Sequence, residues 1–205
     1  MAQSLLLKNR RHIVIRRNFL KSSAVAVATA ALYSPLSAAG FGDSANQKKI
    51  AIVSESAGET GYIHALAKNN KMDDVIILGS DRLKNLHTLS DVLEKNKGAL
   101  ICGLLENSDY ALLNHAALSN GAKFVSETAH TPSNVGISHT ENSFASMSLK
   151  KAFDQFASLN TDQYGIALSS YHTTGAHNTV ATSKQVDFVS DHTSKNAFVS
   201  FVLKA

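Results

Sequence analysis

The chain is poor in the residues that staple or cross-link small proteins. Among 205 residues there is one cysteine, Cys102, with two prolines and no tryptophan. A lone thiol excludes an internal disulfide framework, a C-x-x-C-H haem attachment and a cysteine-ligated iron–sulfur cluster. A G-x-G-x-x-G fingerprint, a lysine-bearing phosphate loop, an H-E-x-x-H pair and a G-x-S-x-G elbow are missing too. A run of about 20 strongly apolar residues, the length needed to span a bilayer, is also absent. The longest candidate, Ala24 to Ala39, is alanine-rich and interrupted by Thr29, Ser34, Pro35 and Ser37. A permanent membrane anchor is therefore not expected.

One further absence is local. Residues 1–39 contain no acidic side chain, yet hold Lys8, Arg10, Arg11, Arg16, Arg17 and Lys21. The whole chain has 20 basic and 16 acidic residues, for a formal net charge of +4. Without the first 39 residues, 14 basic side chains face 16 acidic ones, and the balance becomes slightly negative. The basic character thus belongs to the amino-terminal segment. Nucleic-acid binding needs a retained basic face, and none is expected here.

A basic region, a short apolar stretch and a small-x-small sequence are the parts of a removable export signal. Here they are Arg16–Lys21, the alanine-rich run, and Ser37-Ala38-Ala39. Arg16, Arg17, Phe19, Leu20 and Lys21 resemble the twin-arginine (Tat) signal motif, which reads R-R-x-F-L-K from its arginine pair onward. The resemblance implies recognition by the Tat translocase, export in the folded state, cleavage after Ala39 and a periplasmic mature protein. Residues 40–47 then form a short linker, and 48–205 a single α/β domain.

In that domain four β-rich runs start about 25 residues apart: 48–55, 73–80, 98–106 and 122–129. Each is apolar on both alternations, as a strand covered on both faces is. Between them, 59–70, 81–98 and 107–121 read as helices, the second with Asp81 as N-cap and the third ending at Gly121. The segment 141–160 reads as an amphipathic helix that turns Phe144, Met147, Phe153 and Phe156 inward. Residues 163–171 read as a fifth parallel strand, and 184–191 and 196–204 as a terminal antiparallel hairpin. The expected fold is a three-layer Rossmann-like α/β domain, with a mostly parallel sheet and a C-terminal antiparallel hairpin.

In such sheets ligands collect beyond the carboxyl ends of the strands. That rule selects Glu55 after the first run, Glu127 and His130 after the fourth, and His172 and His177 after the fifth. These five are the candidate ligand-binding residues. Imidazole with carboxylate suits zinc, copper or acid–base chemistry, although their spacing matches no metal motif and the sequence names no cofactor. The expected function is an exported periplasmic protein in a ligand-binding or accessory role, with a periplasmic redox enzyme as candidate partner. The alternative is a small metal-assisted or acid–base enzyme that uses the histidines of the C-terminal half.

Replacing Arg16 and Arg17 together with lysine tests the export reading. The expected outcome is an uncut precursor retained in the cytoplasm, whereas the unmodified chain yields a mature form beginning at Gly40. Cell fractionation and N-terminal sequencing read both.

Overall fold

A computed structural model describes residues 47–69, 71–156, 160–175, 179–191 and 194–205. The twin-arginine motif, Ala39, most of the linker and His177 lie outside the described residues. The elements run β1 (Lys49–Ser54), α1 (Tyr62–Asn69), β2 (Asp74–Leu78), α2 (Arg82–Lys95), β3 (Leu100–Glu106) and α3 (Asn107–Asn120). Then follow β4 (Lys123–Ser133), β5 (Gly136–Ala145), α4 (Leu149–Phe153), α5 (Thr161–Ser170), β6 (Thr179–Ser190) and β7 (Phe198–Lys204). A 3₁₀ turn over Glu55–Thr60 precedes α1, and a π turn over Tyr171–Gly175 extends α5.

The seven strands form one mixed sheet in the order β2-β1-β3-β7-β4-β5-β6. The expected α/β unit is present in its first half. β1 pairs in parallel with β2 and with β3, while α1 crosses over one face and α2 and α3 cover the other. Local chemistry fixes these helices. The Asp81 carboxylate accepts from the Lys84 amide at 3.1 Å and caps α2. Gly121, at φ 69°, closes α3 in the left-handed conformation that glycine adopts without strain.

The second half departs from a parallel sheet. β7 runs antiparallel between β3 and β4, β5 pairs antiparallel with β4, and β6 with β5. Antiparallel pairs therefore outnumber parallel ones, and the mostly parallel Rossmann-like expectation is corrected. Nor do β6 and β7 form a hairpin: two strands separate them. β7 carries Phe198, Phe201, Val202 and Leu203, all buried and divided between its two faces, which pack into the clusters on either side of the sheet.

Two other expectations fail for related reasons. Residues 163–171 fall in α5 and the first residue of the π turn, not in a strand. The Asn160 side chain and Gln163 form a capping box, and Tyr164, Ala167, Leu168 and Tyr171 recur at helical spacing on the buried side. Residues 141–145 belong to β5, and among the described residues of the expected long helix only Leu149–Phe153 is helical. Phe153 is buried as expected, but Phe144 is 42% exposed because strand alternation turns it to the outer face.

The two core clusters lie on opposite faces. Ile50, Ile52, Ile101, Leu105, Phe201 and Leu203 meet α2 and α3 through Leu89, Leu93 and Leu113. Ala51, Val53, Cys102, Leu104 and Val202 meet α1, α4 and α5 through Tyr62, Leu66, Phe153, Tyr164 and Leu168. On the α2/α3 side of β4–β6, Ala129, Thr131, Asn142, Asp187 and Val189 are exposed. Three layers thus exist over the first half of the sheet and two over the second.

α1 and α5 meet at glycine. A Cβ on Gly165 would lie 2.5 Å from the Gly61 carbonyl oxygen and 2.7 Å from the Tyr62 nitrogen. Gly165→Ala is expected to destabilise the fold by about 2 kcal/mol, because overpacking at backbone outweighs the gain in helix propensity of about 1 kcal/mol. Urea unfolding of the variant beside the unmodified protein measures it.

Candidate functional site

The sheet face under α4 and α5 is unusually polar for a core. Strand register directs Ser126, Thr128 and His130 of β4, His139, Glu141 and Ser143 of β5, Ser190 of β6 and Ser200 of β7 to this one side. All eight are buried. Buried polar groups carry a desolvation penalty unless hydrogen bonds replace the lost water; seven of the eight have side-chain hydrogen bonds, whereas Thr128 Oγ1 has none among the described residues.

His130 and His139 stand directly opposite each other in the β4–β5 ladder. Their Nδ1 atoms are 2.7 Å apart. Each outer nitrogen meets a serine: His130 Nε2 lies 2.8 Å from Ser200 Oγ, and His139 Nε2 lies 2.8 Å from Ser190 Oγ. The Tyr164 hydroxyl comes to 3.0 Å from His130 Nδ1. Phe188 stacks on the His139 ring at 4.4 Å and Phe153 meets it edge-on at 5.2 Å. Burial holds His130 well below the usual histidine range, and the neighbouring His139 and His172 add to the effect.

The second group centres on Glu141. Its Oε2 accepts from the Leu149 amide at 2.8 Å, and its Oε1 lies 3.1 Å from the Tyr171 hydroxyl. Tyr171 is also 2.9 Å from Ser126 Oγ and 3.3 Å from Ser143 Oγ. One phenolic proton cannot serve both Ser126 and Glu141, so a serine donates to the phenol oxygen whenever the phenol donates to Glu141. Burial raises the Glu141 carboxyl above its ordinary range, while the Leu149 amide and Tyr171 hydroxyl partly oppose that rise. Beside it opens a recess of about 130 Å³, lined by Glu141, Ser143, Ser146, Ser148, Lys151 and Lys184 among others. Lys151 and Lys184 are exposed, and neither has an acidic partner among the described residues.

The third group joins Tyr62 and His172, with His172 Nδ1 2.5 Å from the Tyr62 hydroxyl and the Cys102 thiol close to the same hydroxyl. His172 Nε2 is buried and has no hydrogen-bond partner among the described residues. Burial depresses His172 to about 3 and pushes the Cys102 thiol up to about 12.

The expected site residues are dispersed. His130 and His172 share the covered face, with His172 close enough to lower the proton affinity of His130. Glu127 pairs with Phe201 and so lies on the opposite face; burial raises its carboxyl. Glu55 is exposed at the start of the 3₁₀ turn. Nearby, at the carboxyl ends of the parallel strands, Ser54 donates to Asp109 at 2.6 Å and Asn85 donates to Asp109 at 2.9 Å. These internal bonds tie β1, α2 and α3 together. Among the described residues no three histidine, cysteine, aspartate or glutamate side chains converge as a metal site, and no helix is long and apolar enough to cross a membrane. His139 was counted only among the histidines of the C-terminal half, and Glu141, Tyr164 and Tyr171 escaped sequence reasoning. For His139 and Glu141 the signal was the alternation Ser126-x-Thr128-x-His130 and His139-x-Glu141-x-Ser143 around a two-residue turn at 134–135.

Residues 16–33 match the family model of the TAT (twin-arginine translocation) pathway signal sequence. The chain therefore carries a Tat signal, which implies the Tat translocase as its partner during export across the cytoplasmic membrane. No curated protein and no solved structure matches the chain.

The His172 geometry sets a pH dependence. Between about pH 3 and its unfolded value near 6.5, the unfolded chain binds a proton at His172 that the folded protein does not. Its contribution to stability is therefore complete above about pH 6.5 and is lost as the pH falls below that. Between pH 7 and 5 the unmodified protein is expected to lose about 2 kcal/mol more stability than His172→Gln. Denaturant unfolding of both proteins at the two pH values measures the difference, and the comparison cancels the opposing effect of Glu141.

Proposed function

We propose that this is an exported periplasmic protein that binds a small polar ligand in the recess beside Glu141. The observation that carries the reading is the recess itself. Lys151 of α4 and Lys184 of β6 stand at its margin without carboxylate partners among the described residues, and the hydroxyl-bearing Ser143, Ser146 and Ser148 line it. The Glu141 carboxyl at this wall is engaged by Leu149 and Tyr171, which absorbs its charge locally and leaves the lysines to set the electrostatics of the opening. A ligand with a carboxylate or phosphate group matches two ammonium groups and adjacent hydroxyls. The buried tyrosine–serine network behind Glu141 holds the wall rigid, as a preformed site requires.

The mature protein acts as a binding or accessory component in this reading, with a larger exported redox enzyme as its candidate partner. Export in the folded state agrees with a site built from residues far apart in sequence, since Glu141 and Lys184 meet only once β5 and β6 have paired.

Titration of the isotopically labelled mature chain with acetate, succinate and inorganic phosphate, followed by NMR, is the direct test. Saturable shifts centred on Ser143, Ser146, Lys151 and Lys184 are expected for at least one anion. The double change Lys151→Ala and Lys184→Ala should weaken that binding about tenfold or more, equivalent to about 1.4 kcal/mol. An unshifted spectrum with all three would remove the reading.

A further inference from the structure

We propose that the buried imidazoles of His130, His139 and His172 form an acid-operated latch: on acidification the contact between α4–α5 and strands β4–β6 opens, while the α2/α3 side of the sheet stays folded. All three rings are buried on the covered face, and they fill the surface along which the helices and strands meet. His130 and His139 approach within 2.7 Å across the β4–β5 ladder, so one proton lies between their Nδ1 atoms. Ser200 and Ser190 hold the outer nitrogens at 2.8 Å. A hydroxyl both donates and accepts, so the neutral pair is satisfied with one further proton on either Nε2. Tyr164 of α5 reaches His130, and His172 of the π turn meets Tyr62 of α1.

The groups that face these rings are nearly all neutral. β7 presents Ser200, β6 presents Ser190 and Phe188, and α4 presents Phe153. From α5 and its π turn come Tyr164 and Tyr171, and Cys102 of β3 lies beside the Tyr62 hydroxyl. Glu141 is the one buried carboxyl on this face among the described residues, and the Leu149 amide and Tyr171 hydroxyl engage it. Lys151 and Lys184 stand exposed at the margin, and Lys150 pairs with Asp154 at the surface. The hydrogen bonds of His130 and His172 run to His139, Ser200, Tyr164 and Tyr62, none of them a carboxylate. A proton added to either ring therefore leaves an uncompensated charge in the core.

Opening admits water and lets both rings take that proton. Closed, His130 and His172 hold protons far more weakly than a free histidine. Each thus favours opening tenfold per pH unit once the pH is well below the free value near 6.5. Between pH 6.5 and 5 the two together raise the opening constant roughly 250-fold. Glu141 takes back part of this, because its folded carboxyl accepts a proton at higher pH than a free one.

The effect is confined to one side of the sheet. His87 of α2 and His115 of α3 are exposed, and the core beneath those helices is built on Leu89, Leu93, Leu113 and Phe201. Strands β4–β6 have solvent on their other face, and a unit with core on one side only opens before the rest. Lys151 of α4 and Lys184 of β6 flank the recess from either side of the parting surface, so the same step takes the recess apart. That consequence alone rests on the proposed ligand reading, and the test below needs no ligand.

The test is amide hydrogen exchange of the mature chain, followed residue by residue in steps from pH 7 to pH 5. Protection in α5 and in residues 139–143 is expected to fall about tenfold or more between pH 6.5 and 5. It should be lost at a higher pH than the protection of α2 and α3. His130→Gln and His172→Gln should each remove a tenfold share of that fall, and the double variant should abolish it. Replacing the exposed His64, His87 and His115 together with glutamine should leave it unchanged. Loss of protection on both sides of the sheet at the same pH overturns the proposal, as does a fall of less than threefold. An undiminished fall in the double variant, or its disappearance in the surface triple variant, overturns it too. Should the double variant not fold, the two single variants and the exchange profiles of the unmodified protein decide.

Discussion

The architecture depends on the insertion of β7 between β3 and β4. The last element of the chain is apolar on both alternations, lies in the middle of the sheet and is buried on both faces. Its direction is antiparallel to both neighbours. From that single placement follow the parallel character of one half and the antiparallel character of the other. The placement also sets Ser200 beneath His130, so the polar layer of the second half is completed by a residue 70 positions away from the histidine it contacts.

The two halves stabilise themselves differently. In the first, hydrophobic burial on both faces dominates, and polar bonds such as Ser54–Asp109 serve to join strand and helix ends. In the second, one face is open to solvent and the other holds imidazoles, hydroxyls and a carboxyl under two helices. A buried polar layer contributes little net stability when satisfied and costs much when one partner is lost. Its geometry is therefore demanding. The same demand gives the layer fixed, preoriented groups, which an ordinary aliphatic core lacks. The recess beside Glu141 lies along this side of the sheet.

Much of the first half was legible in the sequence because each signal there is local. Asp81 caps α2, Gly121 ends α3, and the runs at 48–55, 73–80 and 98–106 are apolar on both alternations, as the strands β1–β3 require. The twin-arginine segment was legible for the same reason, since its motif is contiguous. The second half was misread where the decisive signal was long-range. Residues 163–171 have the composition of a strand, but the Asn160–Gln163 capping box and the four-residue repetition from Tyr164 to Tyr171 make them helical. The turn at 134–135 went unread, and with it the strand that carries His139 and Glu141. Without β5, the ladder that sets His130 against His139 cannot be inferred, and His130 is taken for a loop residue. Nothing local in 198–204 names β3 and β4 as its neighbours.

The position of Cys102 has a consequence for a protein that leaves the cytoplasm. Its sulfur sits in β3 beneath α1, against the Tyr62 hydroxyl, with its proton held far more tightly than in a free thiol. Thiolate is the species that attacks disulfides and responds to oxidants. An exported chain with an odd, accessible sulfur would cross-link to its neighbours once outside the reducing interior. Here the folded core keeps that atom chemically silent, so the molecule can remain monomeric in sulfur chemistry without an oxidoreductase to guard it.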